Sequence, residues 1–221
     1  MSGRTLSPST HDEVRVPPLG LPGLLHIPAN AAGVVIFAHG SGSSRFSPRN
    51  QYVASALRDA GLGTLLFDLL SEEEDAVRAH VFDIDLLADR LSTAANWLAP
   101  RPEARGLPLG LFGASTGAAA ALVTASRSEL FSAIVSRGGR PDLAGEALPL
   151  VTAPTLLIVG GSDYEVLELN REAFALMRCR KDLRIVPGAT HLFEETGALD
   201  AVIDLARSWF LHHLAGEEDK A

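Results

Sequence analysis

Cysteine is almost absent from this chain, which has only Cys179 among its 221 residues. A single thiol cannot form a disulfide within the chain, so the fold does not depend on oxidation. No apolar run approaches the roughly 18 residues of a membrane-spanning helix. Residues 1–12 are polar, whereas a signal peptide has an apolar core there. These absences predict a cytoplasmic protein with no membrane partner.

Positive charge is in the minority, because 19 Lys and Arg stand against 27 Asp and Glu for a formal net charge of −8. An acidic surface repels phosphate backbones, which argues against nucleic acid as a partner. With 47% hydrophobic and 21% charged residues, the composition is that of a globular protein with a core. Repeats and low-complexity segments are absent too. The length predicts one domain over residues 1–221, with loose tails at 1–12 and 217–221.

Short apolar runs alternate with amphipathic segments along the chain. Strands are predicted first as a leading, antiparallel pair at 14–16 and 24–27, and then at 34–38, 64–67, 109–112, 133–135, 155–159 and 183–186. Apolar positions at helical spacing predict helices at 53–60, 84–98, 118–125, 166–177 and 199–214. This alternation predicts an α/β fold with a mostly parallel sheet and helices on both faces. In such sheets the chemistry lies beyond the C-terminal ends of the strands.

The segment 113–117, Gly-Ala-Ser-Thr-Gly, matches the G-x-S-x-G motif. It lies between a predicted strand and a predicted Ala-rich helix, which is the context that a nucleophile elbow requires. Such a turn holds the serine hydroxyl at a helix N-terminus, where backbone N–H groups favour developing negative charge. For the motif alone, a tight turn with a serine helix cap is an equal alternative. In this context the motif predicts Ser115 as a nucleophile.

A base and an acid follow the last two predicted strands. His191 lies just past the final strand, and histidine suits proton transfer at neutral pH. Asp163 follows the preceding strand through Gly-Gly-Ser, where its carboxylate would orient the imidazole. Alone, an aspartate in such a loop is more often a turn residue, but all three residues occur at the same predicted sheet edge. Glu194 and Glu195 are alternative acids, although a surface helix is the better interpretation of them.

The first parallel strand ends in His-Gly-Ser-Gly-Ser-Ser at residues 39–44. After such a His-Gly pair, the next backbone N–H acts with the N–H that follows the nucleophile to stabilise an oxyanion. Here those donors are Ser41 and Thr116. A flexible Gly/Ser connector is the alternative. Phosphate binding is disfavoured because G-x-x-x-x-G-K-[ST] is absent.

Taken together, these motifs resemble the α/β-hydrolase superfamily and, within it, the dienelactone hydrolase-like group. The segments that carry the resemblance are 39–45, 67–70, 113–117, 136–142, 160–163 and 188–193. The resemblance implies an α/β-hydrolase fold and hydrolysis of an ester or related acyl bond without a metal or cofactor. Dienelactone hydrolases proper use a cysteine nucleophile, so Ser115 puts dienelactone itself in doubt as substrate. Some members are joined to a phosphoribosyltransferase domain, which these residues lack.

The surroundings of the site give coarser expectations. Only residues 137–151 separate the strand after the nucleophile helix from the next strand. This connection is too short for a cap domain and predicts an open, shallow site. Arg45 and Arg137 lie on the same edge, and one of them is a candidate for binding a carboxylate or phosphate of the substrate. Ion pairs with Asp68, Glu72–Glu74 or Asp142 are the favoured alternative.

The sequence therefore predicts a serine hydrolase that acts through an acyl-enzyme, with Ser115, Asp163 and His191 as its triad. A small acyl compound is the expected partner. Two alternatives stay open: a binding or regulatory protein on a hydrolase scaffold, and acyl transfer to an acceptor other than water.

Overall fold

The computed structural model describes residues 12–215, which form an eight-stranded sheet with helices on both faces. The strands are β1 (Asp12–Val16), β2 (Leu21–His26), β3 (Val34–Ala38), β4 (Gly63–Phe67), β5 (Leu109–Ala114), β6 (Phe131–Arg137), β7 (Thr155–Gly160) and β8 (Lys181–Val186). The helices are α1 (Pro48–Asp59), α2 (Glu72–Asp75), α3 (Arg78–Val81), α4 (Ile84–Leu98), α5 (Thr116–Ser126), α6 (Tyr164–Leu176) and α7 (Ala198–Leu214). A 3-10 segment covers Pro141–Leu150.

The strand order is β1-β2-β4-β3-β5-β6-β7-β8. β1 pairs antiparallel with β2, β2 pairs antiparallel with β4, and the pairs from β4 to β8 are parallel. The mostly parallel sheet and the leading antiparallel pair are thus confirmed. The chain passes from β3 outward to β4 and then returns to β5 on the other side of β3. This reversal creates a crevice beyond the ends of β3 and β5, where ligands bind in open α/β sheets.

Helices cover both faces of the sheet, which explains why β3, β4, β5 and β7 are buried along their whole length. One apolar core forms with α4 and α5, and the other forms with α1 and α7. α5 is buried at nearly every position because it packs against α4 and the 3-10 segment. Its alanines let these neighbours approach closely, and Gly117 lets its first turn approach the end of β3.

The structure differs from the sequence expectations at a few boundaries. Asp12 is predicted to lie in the N-terminal tail, but it begins β1 and pairs with Leu25. The other residues of both predicted tails lie outside the described residues. α1 begins before the predicted position 53, because the Ser47 side chain accepts from the Asn50 N–H and caps it. No helix within residues 12–215 is long and apolar enough to cross a membrane.

Candidate active site

Ser115 lies in a strained turn between β5 and α5. Its φ of 52° and ψ of −123° fall where non-glycine residues are rare, at a cost of about 1–3 kcal/mol. A Cβ built on Gly113 would lie 2.4 Å from the Ala118 Cα, and one on Gly117 would lie 2.2 Å from the Ala38 carbonyl oxygen. Only glycine fits at either position, so the motif packs the nucleophile against both β5 and the end of β3.

Asp163 and His191 meet at the same edge of the sheet. The Nδ1 of His191 lies 2.7 Å from the Oδ2 of Asp163. The carboxylate makes no helix-capping bond, although Asp163 immediately precedes α6, so it is available to the ring. When Nδ1–H donates to the carboxylate, Nε2 is left as the basic nitrogen. The geometry brings the two residues together, while their catalytic role stays a prediction.

The end of β6 joins the serine turn to the histidine loop. The Ser115 N–H donates to the Arg137 carbonyl at 3.4 Å, and a Cβ built on Gly138 would lie 3.1 Å from the His191 carbonyl oxygen. Within residues 12–215, no hydrogen bond joins the Ser115 hydroxyl to His191. Catalytic hydrogen bonds are often long in ligand-free enzymes and tighten in the complex with substrate.

The loop after β3 lies directly over the nucleophile. A Cβ built on Gly40 would lie 3.1 Å from the Ser115 Cβ. The Ser41 N–H donates to the Thr116 Oγ1 at 3.0 Å. The two residues predicted to supply oxyanion donors are therefore in contact, but through a side chain. Sequence reasoning considered only their backbone groups and missed the hydroxyl.

His39 holds this loop to the end of β4. His39 is 8% exposed, and its Nδ1 lies 3.0 Å from the Gly40 carbonyl oxygen. Its Nε2 accepts a hydrogen bond from the Leu69 N–H at 3.1 Å. Burial lowers the pKa of His39, which favours the neutral ring that an acceptor nitrogen requires. The His-Gly pair is evident in the sequence, whereas residue spacing does not predict the bond from the Leu69 N–H to the His39 ring.

Arg45 forms an ion pair instead of facing an open site. Its backbone N–H donates to the Asp68 Oδ1 at 2.7 Å, and its guanidinium bonds to the other oxygen of that carboxylate. The structure thus shows the ion-pair alternative, in which both groups are partly buried. The pair ties the loop after β3 to the end of β4 a second time.

Arg137 is buried, and no acidic side chain within residues 12–215 pairs with it. Arg137 is 6% exposed, and its guanidinium donates a hydrogen bond to the Asn50 Oδ1 at 3.3 Å. Its Nε has no partner among the described residues. Burial, and after it the charge of Arg49, lowers the pKa of Arg137 to about 10, so the group is still charged at neutral pH. Contact with substrate stays a prediction for this residue.

The alternative acids have other partners. Glu194 pairs with Arg49 at 3.2 Å, and the Glu195 Oε1 accepts from the Thr190 N–H at 3.1 Å and from its hydroxyl at 2.6 Å. The bonds from Thr190 lower the pKa of Glu195. Glu195 therefore fixes the histidine loop from outside. Among the residues that the structure describes, no cluster of three His, Cys, Asp or Glu could hold a metal.

A small cavity of about 10 Å³ adjoins the loop over the nucleophile, which is room for about one water-sized group. Gly40 and Ser41 form one side of it. Its other walls are mainly apolar and come from His39, Leu69, Leu70, Asp75, Val81 and Leu87. The cavity lies on the β4 side of Ser115, opposite to the histidine loop.

Comparisons with known proteins find relatives that match nearly the whole of this chain. Two Mycobacterium tuberculosis proteins, provisionally named phosphoribosyl transferases, are 56% identical over 212 residues, covering 95% of this chain. The chain spans about half of their length, at 48%. A dienelactone hydrolase of Anabaena variabilis is 54% identical, with a TM-score of 0.88 over 93% of this chain and 97% of its own.

More distant structures share the fold alone. An esterase domain from a Rhodothermus marinus protein has 18% identity and a TM-score of 0.72, over 93% of this chain and 98% of its own. The sequence profile of the dienelactone hydrolase family matches residues 21–207. With the α/β-hydrolase fold, the serine elbow and this match together, the chain belongs to the dienelactone hydrolase family.

Proposed function

We propose that this chain is a serine hydrolase that cleaves an ester bond of a small substrate through an acyl-enzyme. The observation that carries the proposal is the 2.7 Å contact between Asp163 and His191, at the sheet edge where the elbow strains Ser115. A carboxylate bound to Nδ1 fixes the tautomer in which Nε2 is the base. A merely structural turn would not need both features together.

In the proposed reaction, the Ser115 Oγ attacks the acyl carbonyl while His191 Nε2 takes the hydroxyl proton of Ser115. Asp163 stabilises the imidazolium, and the Thr116 N–H donates to the oxyanion. The C–O bond to the leaving group then breaks, and the leaving oxygen takes the proton from His191. Water, deprotonated by the same nitrogen, adds to the acyl-enzyme. His191 then returns this proton to the Ser115 Oγ as its bond to the acyl carbon breaks and the acid is released.

The position of the base decides how an ester would lie. The leaving oxygen must reach His191, so the leaving group lies on the side of β7 and β8. The acyl group then extends the other way, over Gly40 toward β4. There it meets the cavity of about 10 Å³ whose walls include Leu70 and Leu87. This arrangement favours acetyl and similarly short acyl groups.

Hydrolysis of p-nitrophenyl acetate, butyrate and octanoate tests both parts of the proposal. We expect the acetate to give the highest kcat/KM, and Ser115→Ala to hydrolyse none of the three. Lack of hydrolysis of all three by the folded wild type would contradict the proposed reaction. A preference for octanoate would contradict the acyl direction or the pocket.

Two leucines of α4 provide a matched pair for the pocket. Leu87 lines the cavity, whereas Leu91 lies one turn further along the helix and is equally buried. Replacing either leucine with alanine costs about 2–5 kcal/mol of stability. Only Leu87→Ala should move the preference from acetate toward butyrate. An equal shift in Leu91→Ala would show that loosening of the core, not the cavity, sets the preference.

An anionic group on the substrate is a separate prediction for Arg137. A hydrogen bond to a charged group is worth about 1.5–3 kcal/mol, so KM for an acetate ester with a carboxylate on its leaving group, such as 4-acetoxybenzoate, should rise at least tenfold in Arg137→Ala. The neutral acetate ester should be affected less. Equal changes in KM for the two esters would restrict Arg137 to a structural role.

A further inference from the structure

The hydroxyl of Thr116 occupies an unusual position beside the nucleophile. Thr116 is the first residue of α5 and is only 4% exposed, and its Oγ1 accepts from the Ser41 N–H. One donor that the sequence assigns to the oxyanion is therefore directed at a side chain of the protein. The Thr116 hydroxyl thus lies within hydrogen-bond distance of a predicted oxyanion donor.

The proton of this hydroxyl has no acceptor in the described part of the chain. A threonine within a helix usually donates to the carbonyl four residues earlier. Thr124 in the same helix does so, donating to the Ala120 carbonyl at 2.7 Å. For Thr116 the corresponding residue lies in β5, outside the helix. Its oxygen accepts from Ser41, so its proton is available to another group.

The Thr116 hydroxyl is bonded to the loop that covers the nucleophile. The loop that holds the Ser41 N–H passes over the nucleophile, since a Cβ on Gly40 would lie 3.1 Å from the Ser115 Cβ. Thr116 follows Ser115 directly in the chain. Its hydroxyl therefore links that loop to the start of α5, beside the two backbone N–H groups that the sequence assigns to the oxyanion.

We propose that the Thr116 side chain is a catalytic residue whose hydroxyl donates a hydrogen bond to the oxyanion. The Ser41 N–H donates to the same hydroxyl, polarises it and fixes its position. Bonds in a chain of this kind strengthen one another, and a bond to an oxyanion is stronger than one between neutral groups. This inference rests on the proposed serine hydrolysis, whose reaction it supplies with an additional donor.

Thr116→Val tests the donor because it keeps the shape and the backbone N–H and removes only the hydroxyl. With p-nitrophenyl acetate we expect kcat to fall about 10²–10³-fold, as when one oxyanion donor is lost. KM should change little, because this bond forms only in the transition state. Inhibition by a trifluoromethyl ketone, whose hemiketal carries the same oxyanion, should weaken by a similar factor. Thr116→Ser should recover kcat to within about tenfold.

Thr124→Val is the matched control, since it removes a buried hydroxyl from the same helix far from Ser115. It should lower stability and leave kcat unchanged. If Thr116→Val keeps or raises kcat, the hydroxyl only occupies the Ser41 N–H and the proposal is wrong. It is also overturned if kcat falls but inhibitor affinity does not. Inactivity of the wild type toward esters would contradict the proposed function, whereas an active wild type with an unaffected Thr116→Val contradicts this inference alone.

Discussion

The two sides of Ser115 are built differently. The oxyanion flank, residues 39–46 and 68–70, is tied together by His39, by the pair of Arg45 with Asp68, and by the Ser41 to Thr116 bond. On the base flank, residues 160–164 and 187–195, the histidine is more exposed than His39 is. The His191 side chain is 37% exposed and Tyr164 is 75% exposed. A donor site must be preorganised to stabilise charge, whereas a base serves the nucleophile, the leaving group and water in turn.

The largest expected effect comes from the base flank. Asp163→Asn should lower kcat/KM by about 10⁴-fold, since an amide stabilises the wrong tautomer of the imidazole. Steady-state hydrolysis of p-nitrophenyl acetate measures this loss of kcat/KM. Glu195→Gln is the control, because its carboxylate binds Thr190 rather than the ring. A loss in Glu195→Gln as large as that in Asp163→Asn would mean that the acid has been misassigned.

A backbone change where α5 meets the end of β3, next to the oxyanion flank, should have the next largest effect. Gly117→Ala places a methyl group 2.2 Å from the Ala38 carbonyl, where backbone must move, at a cost of about 3 kcal/mol. Gly188→Ala on the base flank meets no atom within 4 Å and has a φ of +73°, so strain of about 1–2 kcal/mol is expected. Urea unfolding compares the free energies of unfolding of the two variants. Equal losses would show that the close approach of α5 to β3 costs no more than the backbone strain at Gly188.

Acid should loosen the oxyanion flank through His39. Its pKa is lowered on folding, so the unfolded chain binds the proton more readily than the folded one. The contribution of neutral His39 is complete above the unfolded pKa of about 6.5 and is lost as the pH falls below it. The free energy of unfolding should therefore decline less steeply from pH 7 to pH 5 in His39→Gln. Identical slopes in the two proteins would contradict a buried neutral ring.

The smallest effect is expected where α1 meets the base flank at the surface. Arg49 of α1 pairs with Glu194 of the histidine loop, and the glutamate side chain is mostly exposed. Exposed pairs contribute about 0–1 kcal/mol, so Glu194→Ala should change the midpoint of urea unfolding very little. A loss of several kcal/mol would reveal that this contact, rather than buried bonds, closes the site.

Much of the fold and the candidate triad could be predicted because their signals are local. Apolar runs such as 34–38 and the motif at 113–117 need no knowledge of distant residues. The bond between Ser41 and Thr116 joins residues 75 apart, and spacing does not encode which side-chain atom an N–H will meet. The burial of Arg137 and the partner of Arg45 likewise depend on how α1 and β4 pack. The start of α1 was missed because its cap, not its apolar stripe, sets the boundary.

Labelling with a fluorophosphonate, followed by intact mass, tests the activated serine most directly. The comparison uses the wild type, Ser115→Ala and the control Cys179→Ser, whose thiol is partly buried and has a pKa raised by burial. We expect one adduct on the wild type and on Cys179→Ser, and none on Ser115→Ala. The absence of an adduct on folded wild type, or an adduct that persists on Ser115→Ala, would contradict the assignment of Ser115 as the nucleophile.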